Sequence, residues 1–169
     1  MSTRKLAFMG IMLAAVLVLS VVESMLQLPF LPPQFGRVGV SNVVIMYLAF
    51  FVGKKEAALM VCLKALFSLL TRGFIAGLLS LSGGLFSIFV IFALWWIIKK
   101  EKSYVALSIS GAIAHNIGQL FVACILLGHW GLFVFYFPVL LITGTIFGTI
   151  TAIFLKILIT RLEKGEWKP

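Results

Sequence analysis

Apolar stretches follow one another through almost the whole chain, from about residue 6 to residue 159, with only short basic or Pro/Gly-rich turns between them. Of 169 residues, 62% are apolar and 11% charged, and the mean hydropathy is +1.18. A soluble domain runs at about 45–50% apolar and about 25% charged. This chain cannot cover itself with polar surface in water, so it is expected to lie in a membrane. At roughly 20 residues per crossing, its length allows about five or six spans. No room remains for a soluble catalytic or nucleotide-binding domain.

The apolar segments fall at about 6–28, 40–52, 57–72, 84–98, 104–127 and 132–159. The first follows Arg4 and Lys5 but is too long for a signal peptide and lacks a small-x-small cleavage site, so a retained helix is expected. Residues 29–37, rich in proline and glycine, predict an ordered loop. Residues 73–84 are glycine-rich and suit either a partial turn into the membrane or a tight connection, and Pro138 interrupts the last segment. The expected fold is one all-α integral membrane domain over residues 1–169, a bundle of six transmembrane helices.

The basic residues fix the expected orientation. Arg4, Lys5, Lys54, Lys55, Lys99, Lys100, Lys102, Arg161, Lys164 and Lys168 fall on one side of such a bundle, and only Arg37 and Arg72 lie in the connections on the other. Positive charge marks the cytoplasmic side, so both termini are expected there. The net charge of +9 is thereby explained by topology, and no nucleic-acid partner is implied. Trp95, Trp96 and Trp130 fall near the expected interfaces. Cys62 and Cys124 lie in apolar stretches without metal-type spacing and predict small buried hydrophobes.

Ionisable groups at membrane depth cost about 2.5–3.5 kcal/mol each even on insertion scales, so each asks for a partner or a purpose. Glu23 lies five residues before the end of the first segment, Lys64 near the middle of the third, and Arg72 on the same broad face as Lys64. Ser108, Gly111, Ala112, His115 and Gln119 form one stripe of small or polar residues at helical spacing, with Asn116 beside it. The candidate substrate-binding set is Glu23, Arg37, Asn42, Lys64, Arg72, His115, Asn116 and Gln119. The three cations suggest an anionic or carboxylated small molecule, with Glu23 and His115 meeting a cationic part or tuning protonation. Structural roles also suit these residues: Glu23 as an ion pair with Lys64 or Arg72, and His115, Asn116 and Gln119 as hydrogen bonds between helices. Gly10-x-x-x-Ala14 marks a face of the first helix that fits a docking partner or packing within the bundle.

There is no P-loop, no HExxH, no Gly-x-Ser-x-Gly and no Cys/His zinc pattern. All five acids are Glu, so no Asp-rich magnesium–diphosphate motif exists. No enzyme activity, catalytic residue, metal or cofactor is expected.

In order along the chain come Phe35-Gly-Arg-Val-Gly-Val-Ser-Asn42, the turn Gly53-Lys-Lys-Glu56, Lys64 with Arg72-Gly73, Ser80-Leu-Ser-Gly-Gly84, and Gly111-Ala-Ile-Ala-His-Asn-Ile-Gly-Gln119. Together these resemble the Gx transporter family, also labelled heptaprenyl diphosphate synthase component I, which is similar to the substrate-binding S components of energy-coupling factor (ECF) importers. The resemblance implies a six-helix subunit of a bacterial-type cell membrane that captures a small micronutrient from outside. ATP would be hydrolysed by partners, a membrane T subunit and two ATPase subunits supplying the machinery. It implies residues 29–37 as a lid and Gly10 and Ala14 as the docking face. The label implies, as the alternative, a nonenzymatic membrane partner in polyprenyl diphosphate or quinone metabolism, or in its associated redox chemistry.

Overall fold

The computed structural model describes residues 3–25, 39–98 and 103–164, with side chains through residue 161. Six helices follow in order: α1 (Thr3–Met25), α2 (Ser41–Phe51), α3 (Lys54–Arg72), α4 (Phe74–Ile97), α5 (Tyr104–Leu127) and α6 (Gly131–Lys164). Among the described residues there is no strand. Four helices, α1, α4, α5 and α6, are long and apolar enough to cross a membrane. α2 has 11 residues, about half a crossing at 1.5 Å per residue, and α3 carries Lys54, Lys55, Glu56, Lys64 and Arg72.

Polarity is distributed inside out. Val134 is 77% exposed, and Phe89 and Phe135 are 72% exposed, whereas Glu23, Lys64, Gln119 and seven serine or threonine side chains besides Ser41 are buried. This is a multi-pass membrane protein. Its exterior suits hydrocarbon, where close packing and internal hydrogen bonds, not burial from water, hold helices together.

Close packing is achieved with glycine. A Cβ on Gly84 would sit 2.5 Å from a Val61 methyl, one on Gly77 2.6 Å from Leu69 Cβ, and one on Gly148 2.6 Å from Ile109 Cα. Glycines thus bring α4 against α3, and α6 against α5. Residues 74–84 therefore belong to helix, and α4 begins at Phe74 rather than near residue 84 as the segment pattern suggests. Gly73, at φ +92°, turns the chain from α3 straight into α4. Gly128, at φ +63°, closes α5: its own N–H donates to Ile125 O, and the His129 N–H donates to Cys124 O. α6 continues unbroken through Pro138. With Gly144 against Ile113 and Gly148 against Ile109, α6 runs antiparallel to α5 and extends about 16 Å past its first turn.

Two apolar clusters divide the interior. One gathers Phe8, Met12, Val16, most of α2, Met60, Val61, Ile91 and Leu155 at the end holding the start of α1 and the last turns of α6. The other, Leu79, Leu120, Ala123, Cys124 and Leu140, sits toward the opposite end. α2 is buried from Val43 to Ala49, which explains its uniformly apolar sequence. Rings reinforce the first end, with Phe50 stacked on Trp95 at 5.0 Å and Tyr47 on Phe51 at 5.0 Å. There Lys5 of α1 donates to Glu56 of α3, outside the apolar stretches.

Two measurements check this packing. In detergent, Gly148→Ala should lower unfolding stability by about 1–3 kcal/mol through overpacking against backbone. Gly10→Ala, where an added Cβ meets nothing within 4 Å, should leave it unchanged or up to about 1 kcal/mol higher. The second concerns pH. The hydrogen bond from Lys5 holds the Glu56 carboxyl below its ordinary value of 4.5. Its contribution to stability is full above that ordinary value and is lost as pH falls through the lowered one. The gap in thermal midpoint between the wild type and Glu56→Gln should therefore close in acid and stay constant from pH 6 to 8.

Candidate functional site

α2 starts in the interior beside the last turns of α1, and its first amides need acceptors there. Val40, the residue before it, supplies no side-chain cap. Glu23, 3% exposed, supplies the acceptor from α1. Its carboxylate accepts the Ser41 backbone N–H, and its other oxygen accepts the Ser41 hydroxyl at 3.0 Å. A carboxylate on a helix N-terminus is favoured by the helix dipole as well as by the hydrogen bonds. Both oxygens of Glu23 are thus engaged by Ser41, and no salt bridge to Lys64 or Arg72 forms among the described residues.

One residue further on, Asn42 Oδ1 accepts from Lys64 Nζ at 2.8 Å. Lys64 is 7% exposed and stands on the α3 face that also carries Ser68 and Arg72. Arg72 Nη2 donates to the Ser68 hydroxyl, and its Nε and Nη1 are buried without a hydrogen-bond partner among the described residues. Opposite stands the polar stripe of α5. His115 Nε2 and Gln119 Nε2 lie 3.2 Å apart, and Asn116 Nδ2 donates to Leu140 O of α6 at 3.1 Å. Gly83 of α4 makes space for this pair: a Cβ there would meet Gln119 Cγ at 2.8 Å and His115 Cε1 and Nε2 at 2.9 Å.

Most of these groups line one hollow, whose free volume is about 40 Å³. Its lining on α5 runs from Ser108 to Gln119, about 16 Å along the helix axis. Of the sequence-derived set it brings together Glu23, Asn42, Lys64, His115, Asn116 and Gln119. Arg72 does not line it. Arg37 and the expected lid at 29–37 lie outside the described residues. Gly10 and Ala14 are exposed on the outer face of α1, with open space over Gly10.

The hollow has further walls that the ionisable residues do not announce. Ser20 from α1, Ser80 and Ser87 from α4, and Thr151 from α6 contribute hydroxyls, while Met46 and Phe147 supply apolar surface. Ser108 donates to Met46 Sδ at 3.7 Å, closing the far end. Ser80 and Ser87, seven residues apart on one helical face, are the signal that was available in the sequence.

Removing the Glu23 cap tests its structural share. Glu23→Ala should cost about 1–3 kcal/mol, since it strands a buried N–H. A Glu23→Gln and Ser41→Ala double-mutant cycle in thermal unfolding should return a coupling of about 0.5–3 kcal/mol.

The family model described as heptaprenyl diphosphate synthase component I matches residues 12–158. No curated protein and no solved structure matches the chain. The family match takes in α2 to α5 entirely and most of α1 and α6, and with them every described side chain of the hollow. This all-helical membrane protein therefore belongs to the heptaprenyl diphosphate synthase component I family.

Proposed function

We propose that the chain is the substrate-binding S component of an ECF-type importer, capturing a small micronutrient from outside the cell. The observation that carries this reading is the polar hollow inside an apolar-sheathed bundle, with contributions from all six helices. Polar groups facing such a space inside an apolar sheath need a hydrogen-bonding occupant, and a captured solute meets that need. The basic residues support placing both termini in the cytoplasm of a bacterial-type cell. The exposed small residues Gly10 and Ala14 support α1 as the face that meets the T subunit, with two ATPase subunits supplying hydrolysis.

The protein itself is read as nonenzymatic. Prenyl diphosphate condensation uses Mg²⁺ held by carboxylates, and the chain has no Asp. Of its Glu residues, Glu23 and Glu56 are each engaged elsewhere. The family's description favours a second reading, a nonenzymatic membrane partner of a separate prenyl diphosphate synthase.

Affinity purification of the full chain from membranes, followed by solute uptake in cells, separates the two. The importer reading expects a T subunit and paired ATPases in the eluate, and at least about tenfold weaker assembly for Gly10→Leu or Ala14→Leu. Assembly unchanged by both substitutions, or a synthase in place of the ATPases, overturns it.

A further inference from the structure

The walls of the hollow also bear on what kind of molecule fills it, an inference that rests on the reading of the hollow as a solute site. Among the described lining residues, Lys64 is the one cation and Glu23 the one carboxylate, so formal charges balance. Glu23 gives both oxygens to Ser41, and Lys64 donates to Asn42. Arg72, the half-buried cation of α3, is turned to Ser68 and is absent from the lining. A phosphate or diphosphate is held by converging cations and arginine forks, and the described lining has no such cluster.

What the hollow does have is spare neutral hydrogen-bonding capacity. Ser20, Ser80 and Ser87 line it at 2%, 6% and 8% exposure, and their hydroxyls make no hydrogen bond among the described residues. Hydroxyls in an apolar helix ordinarily satisfy themselves on the carbonyl four residues back. Thr145, Thr149 and Thr151 of α6 do so, each at 2.8 Å. Three serines that do not are left facing the hollow from α1 and α4. Across from them, Asn116 spends its Nδ2 on Leu140 and leaves its Oδ1 as an acceptor. Phe147 and Met46 offer apolar surface between these polar edges.

We propose that the hollow binds an uncharged organic molecule carrying several hydroxyl, amide or ring-nitrogen groups around an apolar ring body. Ser20, Ser80 and Ser87 take one edge of it and the α5 amides the other. The described lining favours this class over the anionic ligand that Arg37, Lys64 and Arg72 suggest by residue type.

Thermal unfolding of the full detergent-purified chain tests this with three probes. They are the flow-through of a cell metabolite extract passed over an anion exchanger, the salt eluate of that column, and sodium diphosphate. The flow-through should raise the midpoint by about 5 °C. Ser80→Ala/Ser87→Ala should match or exceed the wild-type midpoint without added extract, because those hydroxyls bond nothing among the described residues. It should need about tenfold more flow-through for the same shift. A shift confined to the salt eluate or to diphosphate overturns the ligand class and leaves solute capture standing. An equal response in the double variant overturns the role of the serines. No shift from any probe overturns the ligand class and the capture reading together.

Discussion

A helix that begins inside an apolar bundle must find acceptors for its first amide protons, and in this chain α2 finds one in the Glu23 carboxylate. Hydrogen bonds to a charged group contribute about 1.5–3 kcal/mol each, comparable with the roughly 2.5–3.5 kcal/mol that a charge at membrane depth costs. The two therefore offset one another, which is why so costly a residue is tolerated there. The same contact sets the level of α2 relative to α1. Asn42 follows Ser41 directly, so fixing Ser41 brings the Asn42 amide within 2.8 Å of Lys64 on α3. Three helices are tied at one height by a single carboxylate and its neighbour.

The other half of the bundle is built on contact, not charge. Gly77 and Gly84 let α4 close on α3, Gly83 lets the His115–Gln119 pair lie against α4, and Gly144 and Gly148 do the same for α6 on α5. Tight seams on that side and a short α2 on the other leave the hollow between them. Its shape follows from where the chain places glycine and where α2 begins.

Much of this was legible in the residues. Six apolar segments correspond to six helices, and the polar stripe from Ser108 to Gln119 was visible as helical spacing and does face the hollow. Glu23 was correctly marked as too deep to be idle, but its partner was not. The pattern offered Lys64 or Arg72 by charge, whereas the acceptor serves a backbone N–H, a group that every residue carries and no sequence pattern can point to. Arg72 stands outside the lining for a related reason. Sharing a broad helical face with Lys64 does not say which side of that face each long side chain takes, and Ser68, one turn back, captures the guanidinium. Residues 73–84 stayed ambiguous because glycine weakens a helix in water, while among packed membrane helices it is what permits close approach. Ser80 and Ser87 were overlooked because a serine in an apolar helix usually bonds its own backbone.

α6 gives the architecture a mechanical property. Gly144, Phe147 and Thr151 form part of the wall of the hollow, and the same unbroken rod continues to Lys164, well past the start of α5. An α-helix without a break moves as one piece. Any protein that grips the overhanging turns thus holds a lever whose short arm is the cavity wall, and a modest swing at the tail is geared directly to the width of the space around Thr151.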